Sequence, residues 1–122
     1  MENKLVYLAV PYSHNEEAVR EKRFEMVNKV AGKLINRGEY IYSPISHCHP
    51  IALVEDLPKD WEYWEGYCRA FMNCCGKMYV LMIDGWTEST GVRAEIKIAQ
   101  ELGIEIVHVF YDEIITEEED VG

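Results

Sequence analysis

The chain has 122 residues and a formal net charge of −10, with a sequence pI of about 4.8. Its length fits one domain with a real hydrophobic core, and its negative charge argues against binding to a nucleic-acid polymer or an anionic membrane surface. No apolar run reaches transmembrane length, and the N-terminal apolar stretch is too short for a secretory signal. The four cysteines form no C-x-x-C pair, so we expect a reduced, cytoplasmic setting.

A strand, a helix and a second strand are predicted in the first third of the chain. Residues 4–10 are a short apolar run with β-branched and aromatic residues, which predicts a buried strand. A helix is expected to begin near Glu16, with Ser13 or Asn15 as its cap, and to end at a basic turn followed by glycine. Residues 40–42 predict the second strand, and this order predicts a right-handed parallel crossover.

Residues 46–52, SHCHPIA, are predicted to form a loop after the second strand. Metal binding is disfavoured because His47, Cys48 and His49 are consecutive and cannot readily all reach one zinc ion without ligands placed elsewhere. We therefore predict no metal site. The segment is interpreted as a loop that lines a pocket or packs against the core.

A further helix, two strands and an acidic end are predicted in the second half of the chain. Asp60 is the predicted N-cap of the helix. The helix carries an apolar face that we interpret as core, with Trp61, Trp64, Cys68, Phe71 and Cys75. Residues 78–83 predict a third strand, and residues 104–110, IEIVHVF, are typical of a strand buried on both faces. From Asp112 onward the acidic chain predicts either a frayed tail or a short helix.

The stretch 81–98, LMIDGWTESTGVRAEIKI, combines a helix start with an acid on an apolar face. The apolar positions of this helix, at spacings of three and four, are Val92, Ile96, Ala99 and Leu102. Glu95 shares or borders that stripe, where a carboxylate is costly unless it has partners or a task. The hydroxyls and N–H groups of Ser89, Thr90 and Gly91 suit an anion. The alternative is a purely structural N-cap and an acid that the helix dipole favours.

These elements predict an α/β fold, a small Rossmann-like or flavodoxin-like three-layer sandwich with a mostly parallel sheet of four to five strands. The predicted domain covers residues 1–111, and residues 112–122 are a predicted acidic tail. Ligands of such sheets bind outside the carboxyl ends of the strands, which brings together residues 11–13, 43–49 and 84–91. Dinucleotide and P-loop sites are not supported, because neither G-x-G-x-x-G nor G-K-[ST] occurs in the sequence.

The motifs at this edge resemble those of a known superfamily. Residues 7–12, YLAVPY, resemble the opening strand and tyrosine of the nucleoside 2-deoxyribosyltransferase-like superfamily. The pattern Ser89-x-Gly91-x-x-x-Glu95 resembles the S-x-G-x-x-x-E signature of its 2′-deoxynucleoside 5′-phosphate N-hydrolase branch. The wider pattern, with YSPISHCHPIA, DWEYW, RAFM and DGWTESTGVRAEIKIAQELG, is similar to an uncharacterised bacterial and phage subfamily of that group. The likeness extends to about Val109, and the order and spacing of the motifs carry it.

The resemblance implies a mechanism with two displacements and retention of configuration. Glu95 would attack the anomeric carbon of a 2-deoxyribosyl group, and water or a second base would open the resulting ester. Tyr12 would hydrogen-bond to Glu95 and orient it. Ser89 and the N–H groups of Thr90 and Gly91 would hold the 5′ end of the substrate. Further substrate contacts are expected from Ser13, Arg23, His47 and Asp84.

One residue of the signature, and two differences from the superfamily pattern, bear on the choice of substrate. Ser89 stands where transferases that act on free nucleosides carry Asp, and a neutral hydroxyl at a helix start favours a 5′-phosphate, with Arg23 as added positive charge. Cys68 and Gly76 stand where relatives carry Asp, and a thiol is a poor acceptor in its place. Asp84 is a candidate for a compensating carboxylate, although Asp-Gly is also a routine turn signal.

The favoured function is therefore an N-glycosidase that hydrolyses the base–sugar bond of a (deoxy)nucleoside 5′-monophosphate, without a cofactor. The alternatives are a non-catalytic nucleotide-binding protein, such as a sensor or sponge, and a nucleoside 2-deoxyribosyltransferase. Relatives assemble through helices that flank the site, so a homodimer or higher homo-oligomer is expected. The region of Trp61 and Trp64 is either that interface or core.

Overall fold

Four parallel strands form the centre of the protein, which we describe from a computed structural model over residues 3–116. The elements in chain order are β1 (Leu5–Ala9), α1 (Glu17–Asn36), β2 (Tyr40–Tyr42), α2 (Pro44–Glu55), α3 (Trp61–Met72), β3 (Lys77–Leu81), α4 (Thr90–Leu102), β4 (Glu105–Val109) and α5 (Tyr111–Thr116). Within residues 3–116, no helix is long and apolar enough to cross a bilayer.

The sheet has the strand order β2-β1-β3-β4, and all of its neighbouring strands run parallel. Side chains alternate along β1, so Tyr7 joins the core beneath α3 and α4 while Leu8 joins the core beneath α1 and α5. Each face of the sheet therefore has its own apolar core. The predicted three-layer α/β sandwich is confirmed, with four strands.

The prediction that residues 104–110 are buried on both faces is wrong, although the strand itself is present as β4. Among the described strands, β4 pairs only with β3 and lies at the edge of the sheet. Its residues are exposed or half-buried, and the following Phe110 is 53% exposed. This nearly continuous apolar run, interrupted by Glu105 and His108, thus belongs to an edge strand. The central strand β1 is buried from Val6 onward.

The predicted loop at residues 46–52 is wrong, because these residues lie inside α2. Ser43 is the N-cap, its Oγ accepting from the Ser46 N–H at 3.3 Å, and Pro44 occupies the first turn, where proline needs no N–H partner. Pro50 lies within the helix, at a position where proline normally signals a break. The helix that begins at the Ser43 cap therefore continues through the internal proline.

The start of α1 also differs from the prediction. Its N-cap is Glu16, which makes no side-chain cap, so neither Ser13 nor Asn15 caps the helix. The Ser13 Oγ instead donates to the backbone oxygen of Lys59 at 2.7 Å. This bond ties the segment after β1 to the segment before α3, and both segments border the site described below.

The helix α4 and the end of the described chain follow the sequence signals closely. Gly103 adopts φ +72° and ends α4, as its position after the last apolar residue predicts. Over residues 112–116 the short-helix alternative is the one observed, since α5 packs against α1 through the buried Ile114. The rest of the predicted tail, residues 117–122, and residues 1–2 of the predicted domain lie outside the described residues.

Candidate active site

A cavity of about 550 Å³ opens at the carboxyl edge of the sheet. From β1 the chain leads to β2 on one side, and from β3 it leads to β4 on the other. The direction of winding reverses between these two central strands, which is where ligands bind in open α/β sheets. The cavity lies within the range of small-molecule sites, roughly 300–1,000 Å³. Its walls come from the segment after β1, α2, the start of α3 and the start of α4.

Glu95 lines this cavity from the second turn of α4 and is only 5% exposed. Its Oε2 accepts a hydrogen bond from the Tyr7 hydroxyl. Burial raises the pKa of Glu95 to about 8, with the Tyr7 hydrogen bond acting in the opposite direction. In most molecules the Glu95 carboxyl is therefore protonated at neutral pH. It becomes a carboxylate as the pH rises through its pKa.

The hydroxyl that holds Glu95 belongs to Tyr7, so the predicted hydrogen bond from Tyr12 is wrong. Tyr7 lies in the middle of β1, fully buried, on the face of the sheet that α4 covers. Tyr12 follows the strand and lines the cavity, with its hydroxyl 2.5 Å from Nδ1 of His49. The sequence did offer a signal for Tyr7. A tyrosine inside a buried apolar strand needs a hydrogen-bond partner for its hydroxyl.

Cys68 lies in the same wall of the cavity, beside Tyr7 and Glu95. Burial, together with the negative charge of Glu95, raises the pKa of Cys68 to about 12. Cys68 is therefore an uncharged thiol at neutral pH. The Cys68 thiol thus contributes a weak hydrogen-bonding group to the cavity.

The start of α4 contributes Ser89, Thr90 and Gly91 to the cavity. Ser89 is the N-cap, with its Oγ accepting from the Val92 N–H at 3.1 Å. The first N–H groups of a helix have no intrahelical acceptor, and the helix dipole favours an anion near them. Lys59 adds a positively charged side chain to the described residues that line the cavity. The acids at its rim are Asp60, Glu62 and Glu88.

Of the four further substrate contacts that were predicted, Ser13 lines the cavity, whereas Arg23, His47 and Asp84 do not. The Arg23 guanidinium donates to the backbone oxygens of Ser13 and Asp84, at 3.0 and 3.2 Å. Arg23 and Asp84 line a second cavity, of about 810 Å³, between α1 and the end of β4. The structure therefore does not bring them to Glu95, because the loop after β3 turns Asp84 toward α1.

The histidine at the cavity is His49, and His47 is exposed on α2. Residues two positions apart on a helix point about 200° away from each other, so only one of the pair can face the cavity. Sequence reasoning missed this distinction because it treated the segment as a loop. It also missed Glu21 on α1, whose Oε2 lies 2.9 Å from Nε2 of His49.

The cysteines and other metal-ligating side chains do not gather into a metal centre within residues 3–116, where no group of three or more His, Cys, Asp or Glu side chains could hold an ion. All four cysteines fall in this range and are free thiols. Cys48 and Cys68 line the cavity. The cavity thus presents one buried carboxyl, two thiols, hydroxyls, an imidazole and a helix start.

Gly76 lies at the N-terminal end of β3, the edge of the sheet opposite the cavity. A Cβ built on Gly76 would lie 2.5 Å from the backbone oxygen of Asn3. Asn3 is itself held, since its side-chain amide donates to the Cys74 oxygen at 3.0 Å and its Oδ1 accepts from the Leu5 N–H. The absence of a side chain at Gly76 therefore serves close backbone packing and leaves the site unaffected.

Gly76→Ala is expected to destabilise the fold by about 1–3 kcal/mol, because the new methyl group forces the Asn3 backbone to move. Denaturant unfolding measures this change. Gly66→Ala is the matched control, since Gly66 lies within α3 with open space around its Cα, and alanine favours a helix. Equal stabilities of the Gly76→Ala variant and the native protein would contradict the close contact.

The fold and site define a Rossmann-like α/β domain with a buried carboxyl in a cleft at the carboxyl edge of its sheet. A family model described as "Domain of unknown function (DUF1937)" matches residues 4–111. The chain belongs to this family. No curated protein matches the chain. Because the match extends from before β1 to the start of α5, all residues of the site lie within the family domain.

Proposed function

We propose that this protein is an N-glycosidase that hydrolyses the base–sugar bond of a (deoxy)nucleoside 5′-monophosphate, in the cytoplasm and without a cofactor. The observation that supports this most is the buried Glu95 carboxyl, which Tyr7 holds at the wall of the 550 Å³ cavity. A buried carboxyl with a strongly perturbed pKa in a cleft is a candidate for chemistry. The likeness to the nucleoside 2-deoxyribosyltransferase-like superfamily supplies the reaction class.

In the proposed reaction Glu95 is the nucleophile. As a carboxylate it attacks the anomeric carbon, the C–N bond breaks, and the base departs to leave a glycosyl ester on Glu95. Water then attacks the same carbon, the ester opens, and the two displacements retain the configuration. Tyr7 keeps the attacking oxygen in one orientation and stabilises its charged form.

The proposed substrate contacts follow from the walls of the cavity. Trp61, Trp64 and Tyr12 offer aromatic surfaces for the base. The start of α4 and Lys59 offer donors for the 5′-phosphate. Because Arg23 lies at the second cavity, the proposed phosphate contacts rest on backbone N–H groups, on Ser89 and on Lys59.

A second candidate function is nucleotide binding without catalysis, as a sensor or sponge. The observation that favours it is Cys68, a neutral thiol where relatives carry a sugar-contacting Asp. A third candidate, transfer of the sugar to a second base, follows from the same superfamily likeness. The likeness also supports a homodimer or higher homo-oligomer.

Liquid chromatography of free base, released from a panel of ribo- and deoxyribonucleosides and their 5′-monophosphates, tests the proposal. We expect release from at least one monophosphate and a loss of at least about 10³-fold in the Glu95→Gln variant, as for removal of a nucleophile. No release from any monophosphate, with binding still measured by calorimetry, would move the assignment to the binding protein. Faster exchange with an added base than with water would move it to the transferase.

A further inference from the structure

Tyr12, His49 and Glu21 form a chain of hydrogen bonds that leads from the cavity toward solvent. The Tyr12 hydroxyl lies 2.5 Å from Nδ1 of His49, and Nε2 of His49 lies 2.9 Å from Oε2 of Glu21. The His49 side chain is 3% exposed, whereas that of Glu21 is 45% exposed. The Phe24 ring packs on the imidazole with a centroid distance of 4.3 Å. Both ring nitrogens are therefore engaged, and the ring is held in one orientation.

The two ends of this chain set the proton positions. An ionised Glu21 can only accept hydrogen bonds, so it accepts one from the Nε2–H of His49. When His49 is an imidazolium ion, its Nδ1–H donates to the Tyr12 oxygen, and the Tyr12 O–H is then free to donate into the cavity. When His49 is neutral, Tyr12 donates to Nδ1 and its oxygen is an acceptor. One proton can thus move between His49 and the cavity through Tyr12, with Glu21 holding the ring throughout.

We infer that Tyr12 is a second catalytic residue, which donates a proton to the departing base and later accepts one from the attacking water. His49 and Glu21 are the positioning residues that supply and take back this proton. This inference rests on the proposed glycosidase function, and it gives Tyr12 a different task from the orientation of Glu95, which Tyr7 performs. Tyr12 and Glu95 line the same cavity from different elements.

The protons balance over the two steps. In the first, the Glu95 carboxylate forms a bond to the anomeric carbon and the C–N electron pair goes to the base, which takes the Tyr12 proton while the Nδ1 proton of His49 moves to Tyr12. In the second, a water oxygen bonds to the anomeric carbon and the ester electron pair returns to Glu95. The water proton goes to Tyr12, and the Tyr12 proton returns to Nδ1. The sum is one base with a proton and one sugar hydroxyl.

The need for a proton depends on the leaving group, and this separates catalysis by Tyr12 from a structural role. A nucleobase departs slowly as an anion and gains from a proton donor, whereas 4-nitrophenolate departs without one. General acid catalysis is worth about 10²–10⁴-fold. We therefore expect Tyr12→Phe to lower kcat by that factor for nucleotides and by less than about threefold for an aryl glycoside.

The experiment compares kcat and KM of the full chain on each of the common ribo- and deoxyribonucleoside 5′-monophosphates and on the 5-phosphates of 4-nitrophenyl ribofuranoside and 2-deoxyribofuranoside. His49→Gln and Glu21→Gln are the further variants, and both are expected to lower kcat on nucleotides selectively. Tyr40→Phe on β2 and His108→Gln on β4 are matched controls, because both side chains are exposed at a distance from the cavity. Thermal unfolding of each variant checks the fold.

The outcomes separate this inference from the proposed function. Equal losses on both classes of substrate in Tyr12→Phe, or an effect on KM alone, would overturn the catalytic role of Tyr12 and leave the glycosidase standing. If Tyr12→Phe fails to fold, Glu21→Gln decides the same question by the same comparison. Retention of turnover in Glu95→Gln would overturn the nucleophile, and a native chain that releases neither base nor 4-nitrophenol would overturn both proposals.

Discussion

Replacing Glu95 by Gln is expected to change how stability depends on pH. The free energy of unfolding of the variant, relative to that of the native protein, should grow by several kcal/mol between pH 4.5 and 8. The folded chain keeps the Glu95 proton up to a pKa of about 8, whereas the unfolded chain releases it near 4.5. Between these values the folded state binds more protons, so the native free energy of unfolding falls as pH rises, by up to about 1.4 kcal/mol per pH unit. Gln resembles the protonated carboxyl and does not titrate.

Denaturant unfolding at a series of pH values measures this difference, taken as the free energy of the Glu95→Gln variant minus that of the native protein. Glu101→Gln is the matched control, because Glu101 lies on the same helix with an exposed side chain that makes a surface ion pair with Arg69. Its difference from the native protein is expected to stay within about 1 kcal/mol. Parallel pH profiles of the native and Glu95→Gln proteins would show that Glu95 ionises normally.

Local signals predicted α4 and its place in the site well. The Ser89 cap and Gly103 lie at the two ends of one helix, and each acts through its immediate neighbours. Of the predicted apolar stripe, Val92 and Ala99 are buried, whereas Leu102 is exposed and Ile98 is buried in addition. The burial of Glu95 followed from the same stripe. These features depend on little beyond the helix itself, so the sequence was sufficient for them.

The remaining differences come from contacts that are distant in sequence. Tyr7 and Glu95 are 88 positions apart, and their meeting depends on which face of β1 lies beneath α4. Strand order made β4 an edge strand, although residues 104–110 form a nearly continuous apolar run. The choice of His49 over His47 required α2 to be recognised despite Pro50. A nonlocal arrangement thus decided which tyrosine holds Glu95 and which strand lies at the edge, whereas recognition of α2 decided which histidine reaches the cavity.

Tyr7→Phe is expected to move the pH dependence of catalysis, because the Tyr7 hydroxyl is the donor that favours the charged form of Glu95. The proposed nucleophile is the carboxylate, so kcat/KM of the native protein should rise with pH up to the Glu95 pKa of about 8. A hydrogen bond to a charged group is worth about 1.5–3 kcal/mol, which corresponds to about one to two pH units.

The rising limb of the kcat/KM profile of Tyr7→Phe should therefore lie about one to two pH units higher than that of the native protein. At pH 7 the variant should lose about 10–100-fold in kcat/KM, and this loss should shrink as the pH increases. Base release measured from pH 5 to pH 10 checks this expectation, with Tyr40→Phe as the exposed control. A loss that is the same at every pH would contradict it, because a displaced but normally ionised Glu95 lowers the rate without moving the limb. A shift of the limb without further loss on its plateau would assign Tyr7 to the ionisation of Glu95 alone.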